Sequence, residues 1–130
     1  MKRPVRYTLL AAVLAGSVAS GCRTGDNGSV ERRQINRPVP VNIQNNNFLD
    51  IAVFATSSGS RIKLGQVTGK SSGTFRIHPR RLNMVAGLQI MVDPLGSAQT
   101  YLSPVVFPGG AETVVLTVAN ILDRSYITVR

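Results

Sequence analysis

Arg61-Ile62-Lys63-Leu64-Gly65-Gln66-Val67, followed after a polar gap by Thr74-Phe75-Arg76-Ile77-His78, decides the fold of this chain. In both segments an apolar residue occupies every second position, the period of a strand with one face buried and the other in water. Ile62, Leu64, Phe75 and Ile77 are expected to point inward; Arg61, Lys63, Arg76 and His78 outward. Gly65 breaks the alternation and Val67 restores it, which predicts a β-bulge. Thr68 to Gly73, polar and glycine-containing, is then the turn of a hairpin between the two strands.

The same grammar extends in both directions. Upstream, Val39, Val41 and Ile43 alternate in a first strand that Asn45, Asn46 and Asn47 end, and Phe48 to Ala55 is apolar on both faces except at Asp50, as a central strand should be. Ser57 to Ser60 is a turn. Downstream, Pro79 to Gly87 reads as an irregular crossover or a single helical turn, and Leu88 to Val92 as a strand. Asp93 to Gly96 turns, Thr100 to Phe107 is a strand interrupted at Pro104, and Pro108-Gly109-Gly110 turns again. Glu112 to Val118 alternates clearly. Ser125 to Val129 closes the chain after a turn at Asn120 to Arg124. Seven or eight short strands and almost no helical periodicity predict an all-β domain over 39–130, an Ig-like or transthyretin-like β-sandwich.

The region before this domain has a different composition. Lys2, Arg3 and Arg6 precede a largely apolar run from Thr8 to Ala19, with small residues after it, the anatomy of a signal peptide over 1–21. The run is shorter than the roughly 20 apolar residues a spanning helix needs. Val18-Ala19-Ser20-Gly21-Cys22 resembles the lipobox of bacterial lipoproteins, although Ala19 stands where that family more often has Leu. The resemblance implies that the Cys22 thiol accepts a diacylglyceryl group and becomes the first residue of the mature chain. It also accounts for the one cysteine of the sequence, which cannot form an internal disulfide. The alternative is an ordinary secretory signal cut after Ala19, with Ser17 and Ala19 meeting the small-x-small rule.

Residues 22–38 are rich in Gly, Asn, Asp, Ser and Arg and read as the lipidated Cys and a flexible linker, stiffened at its end by Pro38 and Pro40. Arg23 follows Cys22 where the family's inner-membrane retention signal would place Asp, which implies the outer membrane in a host with two, facing the periplasm or the surface. Asn45-Asn46-Asn47-Phe48-Leu49-Asp50, Leu64-Gly65-Gln66-Val67 and Asp93-Pro94-Leu95-Gly96 are similar to segments of small bacterial lipoproteins of predicted β-sandwich type, a resemblance that implies no particular activity.

The formal charge of +9 suggests nucleic acid, an anionic membrane or an acidic partner. Loss of Lys2, Arg3 and Arg6 with the signal leaves 12 of the 15 basic residues against 6 acidic ones, about +6. Nucleic acid is disfavoured by export and by an aromatic content of 5%, too low for stacking platforms. Gly65 to Ser71 superficially resembles a phosphate-binding loop, but it has three residues between its glycines instead of four and leads into a strand rather than a helix.

Chemistry finds few footholds. His78 is the only histidine and Cys22 is remote from it, so the common zinc-ligand sets have too few members and no metal or other cofactor is expected. No Gly-x-Ser-x-Gly elbow is present, and Asp50, Asp93, Glu112 and Asp123 show no pairing in sequence, which points away from an enzyme. The most specific feature is a basic stripe of Arg61, Lys63, Arg76 and His78, extended by Arg80 and Arg81. It reads either as a solvated face that guards an edge from aggregation or as a surface for anionic lipid or an acidic envelope polymer. The expected function is therefore a lipid-anchored, non-enzymatic envelope module. A structural subunit adding a strand or face to a larger assembly is the alternative, and a small secreted hydrolase a more distant one.

Overall fold

Val41, Ile43, Ile51, Val53, Ala55, Ile90, Val92, Val114, Leu116 and Val118 are all fully buried, and they occupy alternate positions of four strands. Burying such an aliphatic side chain is worth roughly 1.5–3 kcal/mol, so period-two patterning commits each strand to one face. The computed structural model, which describes residues 36–130, shows how those faces meet. Eight strands are formed: β1 (Val39–Asn45), β2 (Ile51–Ser57), β3 (Ser60–Val67), β4 (Ser72–Ile77), β5 (Gln89–Pro94), β6 (Tyr101–Leu102), β7 (Val114–Val118) and β8 (Tyr126–Val129). They make two four-stranded sheets, ordered β4-β1-β7-β8 and β3-β2-β5-β6. Every pairing is antiparallel except that of β1 with β7.

This order settles the choice between the two sandwich types. An immunoglobulin sandwich pairs its first strand with its second, whereas here β1 pairs with β4 and β7, and β2 lies in the other sheet. The arrangement is the transthyretin-like one. The expected bulge is also present: Val53 faces Gly65 and Phe54 faces Lys63, leaving Leu64 as the extra residue. A Cβ on Gly65 would lie 2.6 Å from the Phe75 ring, so its bare backbone lets a β4 side chain pack against β3 between the sheets.

Three expectations are corrected. The segment from Phe48 does not start as a strand: β2 begins at Ile51, and Phe48 and Leu49 are exposed in the loop before it. The stretch from Thr68 to Gly73 is not a hairpin turn: β4 already begins at Ser72, β3 and β4 belong to different sheets, and the loop crosses between them. The expected strand from Thr100 to Phe107 pairs regularly only over Tyr101–Leu102. Pro104 has no N–H to donate, and the chain regains β5 register through the Leu88–Val106 bridge. The Pro79 to Gly87 crossover carries one 3-10 turn, Met84–Ala86, and a second such turn, Leu122–Arg124, lies between β7 and β8.

The Asn run after β1 does more than end a strand. Asn45 is buried, and its Nδ2 donates to the carbonyls of Leu49 at 2.9 Å, Thr68 at 3.1 Å and Val67 at 3.3 Å. Its Oδ1 accepts from the backbone N–H of Asn47. Asn47, also buried, donates to the carbonyls of Ala119 and Asn120 and accepts from the N–H of Leu49. Two side-chain amides thus bind the β1–β2, β3–β4 and β7–β8 connections together at one end of the sandwich. Removing the Asn45 amide strands several buried backbone groups, each loss costing about 1–3 kcal/mol. Asn45→Ala is expected to destabilise the domain by about 2–4 kcal/mol, read as a lowered urea midpoint with unchanged slope, while exposed Asn46→Ala stays within about 0.5 kcal/mol.

Candidate functional site

The strand register fixes two ends for the sandwich. At one, here called the root, Val39 of β1 pairs with Ile77 of β4, Thr56 of β2 with Gln89 of β5 and Arg61 of β3, and Val114 of β7 with Val129 of β8. The chain enters β1 there through Arg37 and Pro38. At the other end, the tip, lie the loops that the Asn45 and Asn47 amides gather.

The basic residues singled out in the sequence are all exposed, but they are not one stripe. Arg61 and Lys63 sit on the outer face of β3, at the edge of one sheet; Arg76 sits on β4, at the same side of the other sheet. Outer faces of opposed sheets look in opposite directions, so Arg61 and Lys63 are not cross-strand neighbours of Arg76. Arg61 leans over its own sheet instead. Its guanidinium carbon stands 5.0 Å from the centroid of the Phe54 ring, and Nη1 lies 3.9 Å from the Met91 sulfur. Lys63 is midway along the sandwich.

A second grouping replaces the stripe. Arg76 is opposite Pro40, His78 follows β4, and Arg80 and Arg81 occupy the next turn, closed by the bond from Arg81 N–H to the His78 carbonyl at 2.9 Å. Together with Arg37 and Arg61 they crowd the root. The one acidic side chain at that end among the described residues is Glu112, whose carboxylate accepts a hydrogen bond from Gly109 N–H. A recess of about 380 Å³ opens at this end, lined by Arg37, Val39, Pro79, Leu82, Met84 and Pro108. Sequence reading missed this grouping because Arg37 and Arg81 are far apart in the chain. The antiparallel pairing of β1 with β4 is what places the start of one beside the end of the other.

The tip has the opposite character. Asp50, Asp93 and Asp123 lie at that end, with Lys70 and Arg124 as its cations. Asp50 accepts from Gly69 N–H at 2.9 Å, and the Lys70 ammonium donates to the Asn46 carbonyl while standing 3.9 Å from the Phe48 ring centroid. Around a recess of about 310 Å³, Phe48, Leu49, Leu95 and Ile121 remain exposed, Phe48 at 71% and Ile121 at 54%. The loop compared above with a phosphate-binding motif therefore spends its lysine on its neighbours.

No group of three or more His, Cys, Asp or Glu side chains among the described residues is placed to hold a metal ion, and none of their helices is long and apolar enough to cross a membrane. Cys22, the remainder of the expected linker up to 35 and the signal-like run lie outside the described residues.

The strands, their order and the two ends thus define an all-β, transthyretin-like sandwich with a basic root and an apolar-capped tip. No family model matches the chain, and no curated protein matches it. Among solved structures, it is similar to the NMR structure of a protein from Eubacterium rectale, at 10% identity and a TM-score of 0.42, over 72% of this chain and 88% of that one.

One titratable group links the tip to both sheets. Tyr101 of β6 donates its hydroxyl to the Ser125 carbonyl at 3.0 Å, and Ser125 in turn accepts from Ala119 N–H through Oγ. Burial raises the Tyr101 phenol above its ordinary value of 10.0. A folded-state value above the unfolded one means its contribution is fully present below the unfolded pKa and is lost as pH rises through the folded one. Alkaline titration of thermal stability should show a decline beginning near pH 10 that is smaller in Tyr101→Phe, and this variant should lose about 1 kcal/mol at neutral pH with its hydrogen bond.

Proposed function

We propose that this chain is a lipid-anchored, non-enzymatic protein of the cell envelope, tethered through Cys22, that presents its sandwich as an interaction module. The observation that carries this reading is the separation of ends. Arg37, the first basic residue of the described chain, enters at the root with the arginines, and at the tip, where the basic residues are few, Phe48, Leu49, Leu95 and Ile121 are exposed together. A tether at one end leaves the other free to meet a second envelope component. Solvent-exposed apolar groups clustered in loops are more common at partner surfaces than on inert ones. The lipobox-like Val18 to Cys22 supports the anchoring half.

A second reading has its own observation. β8 is an edge strand with no charge, proline or bulge in Tyr126–Val129, whereas β3 carries Arg61, Lys63 and a bulge, the features that keep edges from pairing. Strand addition at β8 would make the protein a structural subunit of a larger envelope assembly.

In the native host, the wild type should incorporate labelled palmitate and fractionate with membranes, and Cys22→Ser should do neither. A photoreactive residue at position 121 should give a discrete protein adduct that the same group at Thr74 does not give. Equal absence of label in both proteins would return the chain to the secreted class. An adduct from position 128 in place of 121 would make β8 the working edge.

A further inference from the structure

We infer that the root is a bilayer-seating surface, in which Val85 and Phe107 enter the lipid interface while Arg37, Arg76, Arg80 and Arg81 meet anionic headgroups. The inference rests on the tethered reading only for the direction from which the membrane approaches.

Val85 is 88% exposed at the centre of the 3-10 turn, and Phe107 is 68% exposed in the loop before β7. Neither is a loose side chain on a loose loop. Leu88 and Val106 exchange two backbone hydrogen bonds of 2.8 Å, pinning the two segments together. Gly87 between them has φ +89, and a Cβ there would lie 2.3 Å from Val105 and 3.0 Å from the Phe107 ring. The Val105 and Phe107 side chains therefore rest directly on the Gly87 backbone, which holds them outward from a buried platform. Val85 and the recess beside it continue this apolar surface through Met84, Leu82 and Pro79.

Cations accompany it at this end of the sandwich. Arg37 lines the same recess as Val85, and His78, Arg80 and Arg81 precede it in the same crossover. Glu112, the acidic side chain at this end, is turned onto the Gly109 N–H of its own loop. An apolar prominence with Arg37 beside it and Arg80 and Arg81 in the same crossover matches the boundary between acyl chains and phosphates, where apolar groups bury while Arg stays at headgroup level. A purely anionic polymer would use the arginines and leave Val85 and Phe107 in water. A purely apolar protein groove would leave the arginines unpartnered.

Chain length points the same way. Cys22 and Arg37 are about 15 residues apart, a distance of at most ~50 Å however extended. A domain so tethered meets its own membrane at high effective concentration, so a weak surface attraction suffices to seat it. The root, where the tether joins, is the end that arrives first.

The sequence contains no tryptophan, so Phe107→Trp and Ile121→Trp each introduce a single reporter, at the root and at the tip. The full chain, purified from membranes and reconstituted in vesicles, or mixed with vesicles if it is recovered soluble, is compared in phosphatidylcholine with and without phosphatidylglycerol. Trp at 107 should shift to the blue and be quenched by brominated lipid when phosphatidylglycerol is present at low salt, and the effect should fade at high salt. Trp at 121 should do neither. Arg80→Glu with Arg81→Glu should weaken the effect at position 107 about tenfold or more, and Val85→Ser should weaken it several-fold. Both variants alter exposed residues, and unchanged circular dichroism will show that they fold. The inference is overturned if Trp at 107 is not quenched, if Trp at 121 is quenched equally, if the charge reversals change nothing, or if soluble polyphosphate without vesicles produces the same shift. Palmitate labelling reports on Cys22 independently, so failure of the anchor and failure of the seat are distinguishable.

Discussion

The amide of Asn45 bonds to four backbone groups drawn from three segments of chain: Leu49 and Asn47 in the loop after its own strand, Val67 at the end of β3, and Thr68 in the crossover to β4. These are groups that the sheet ladders leave over where strands stop. A buried carbonyl or N–H without a partner costs as much as a well-packed methyl or two contributes, so the tip closes only because one short, planar side chain can both donate and accept. Asn47 repeats the device toward Ala119 and Asn120. Among the described residues, no buried side-chain polar atom is left without a partner. In a chain without disulfides such polar pins do the stapling that small secreted domains usually assign to cystine.

The strands were legible because period-two alternation is a local signal. Val39 to Ile43, Ile62 to Val67, Phe75 to Ile77 and Val114 to Val118 each declare a buried face within a few residues, and Gly65 marks the bulge in place. What the pattern does not encode is which sheet a strand joins. Nothing between Thr68 and Ser71 distinguishes a hairpin from a crossover; the difference lies in Ser72 to Ile77 finding β1, some 30 residues earlier in the chain, as its partner. That single long-range choice dissolved the expected basic stripe and created the root cluster instead. Phe48 misled for a related reason. Its apolar side chain extends the β2 pattern, but the Asn45 and Asn47 bonds hold the backbone around it in a loop, and Phe48 pairs with Lys70 in solvent.

Charge is thus sorted along the strands rather than across them. The arginines gather where β1 begins and β4 ends, and three of the four acidic side chains in the domain lie toward the opposite loops. A net charge spread evenly over a surface chiefly affects solubility. The same charge concentrated at one end gives the molecule a direction in any field, including that above an anionic membrane.

The parallel pair at the heart of the first sheet has a consequence in time. Val41 lies beside Val114, 73 residues later in the chain, and β1 cannot complete its ladder until β7 exists. Contacts of such long separation pay their loop-closure entropy before any reward, and they make folding slow. A chain threaded N-terminus first through a translocation pore would emerge with β1 through β6 still lacking the strand that joins β1 to β8. Before β7 arrives β1 can pair only with β4, so the first sheet is the last part of the sandwich to close.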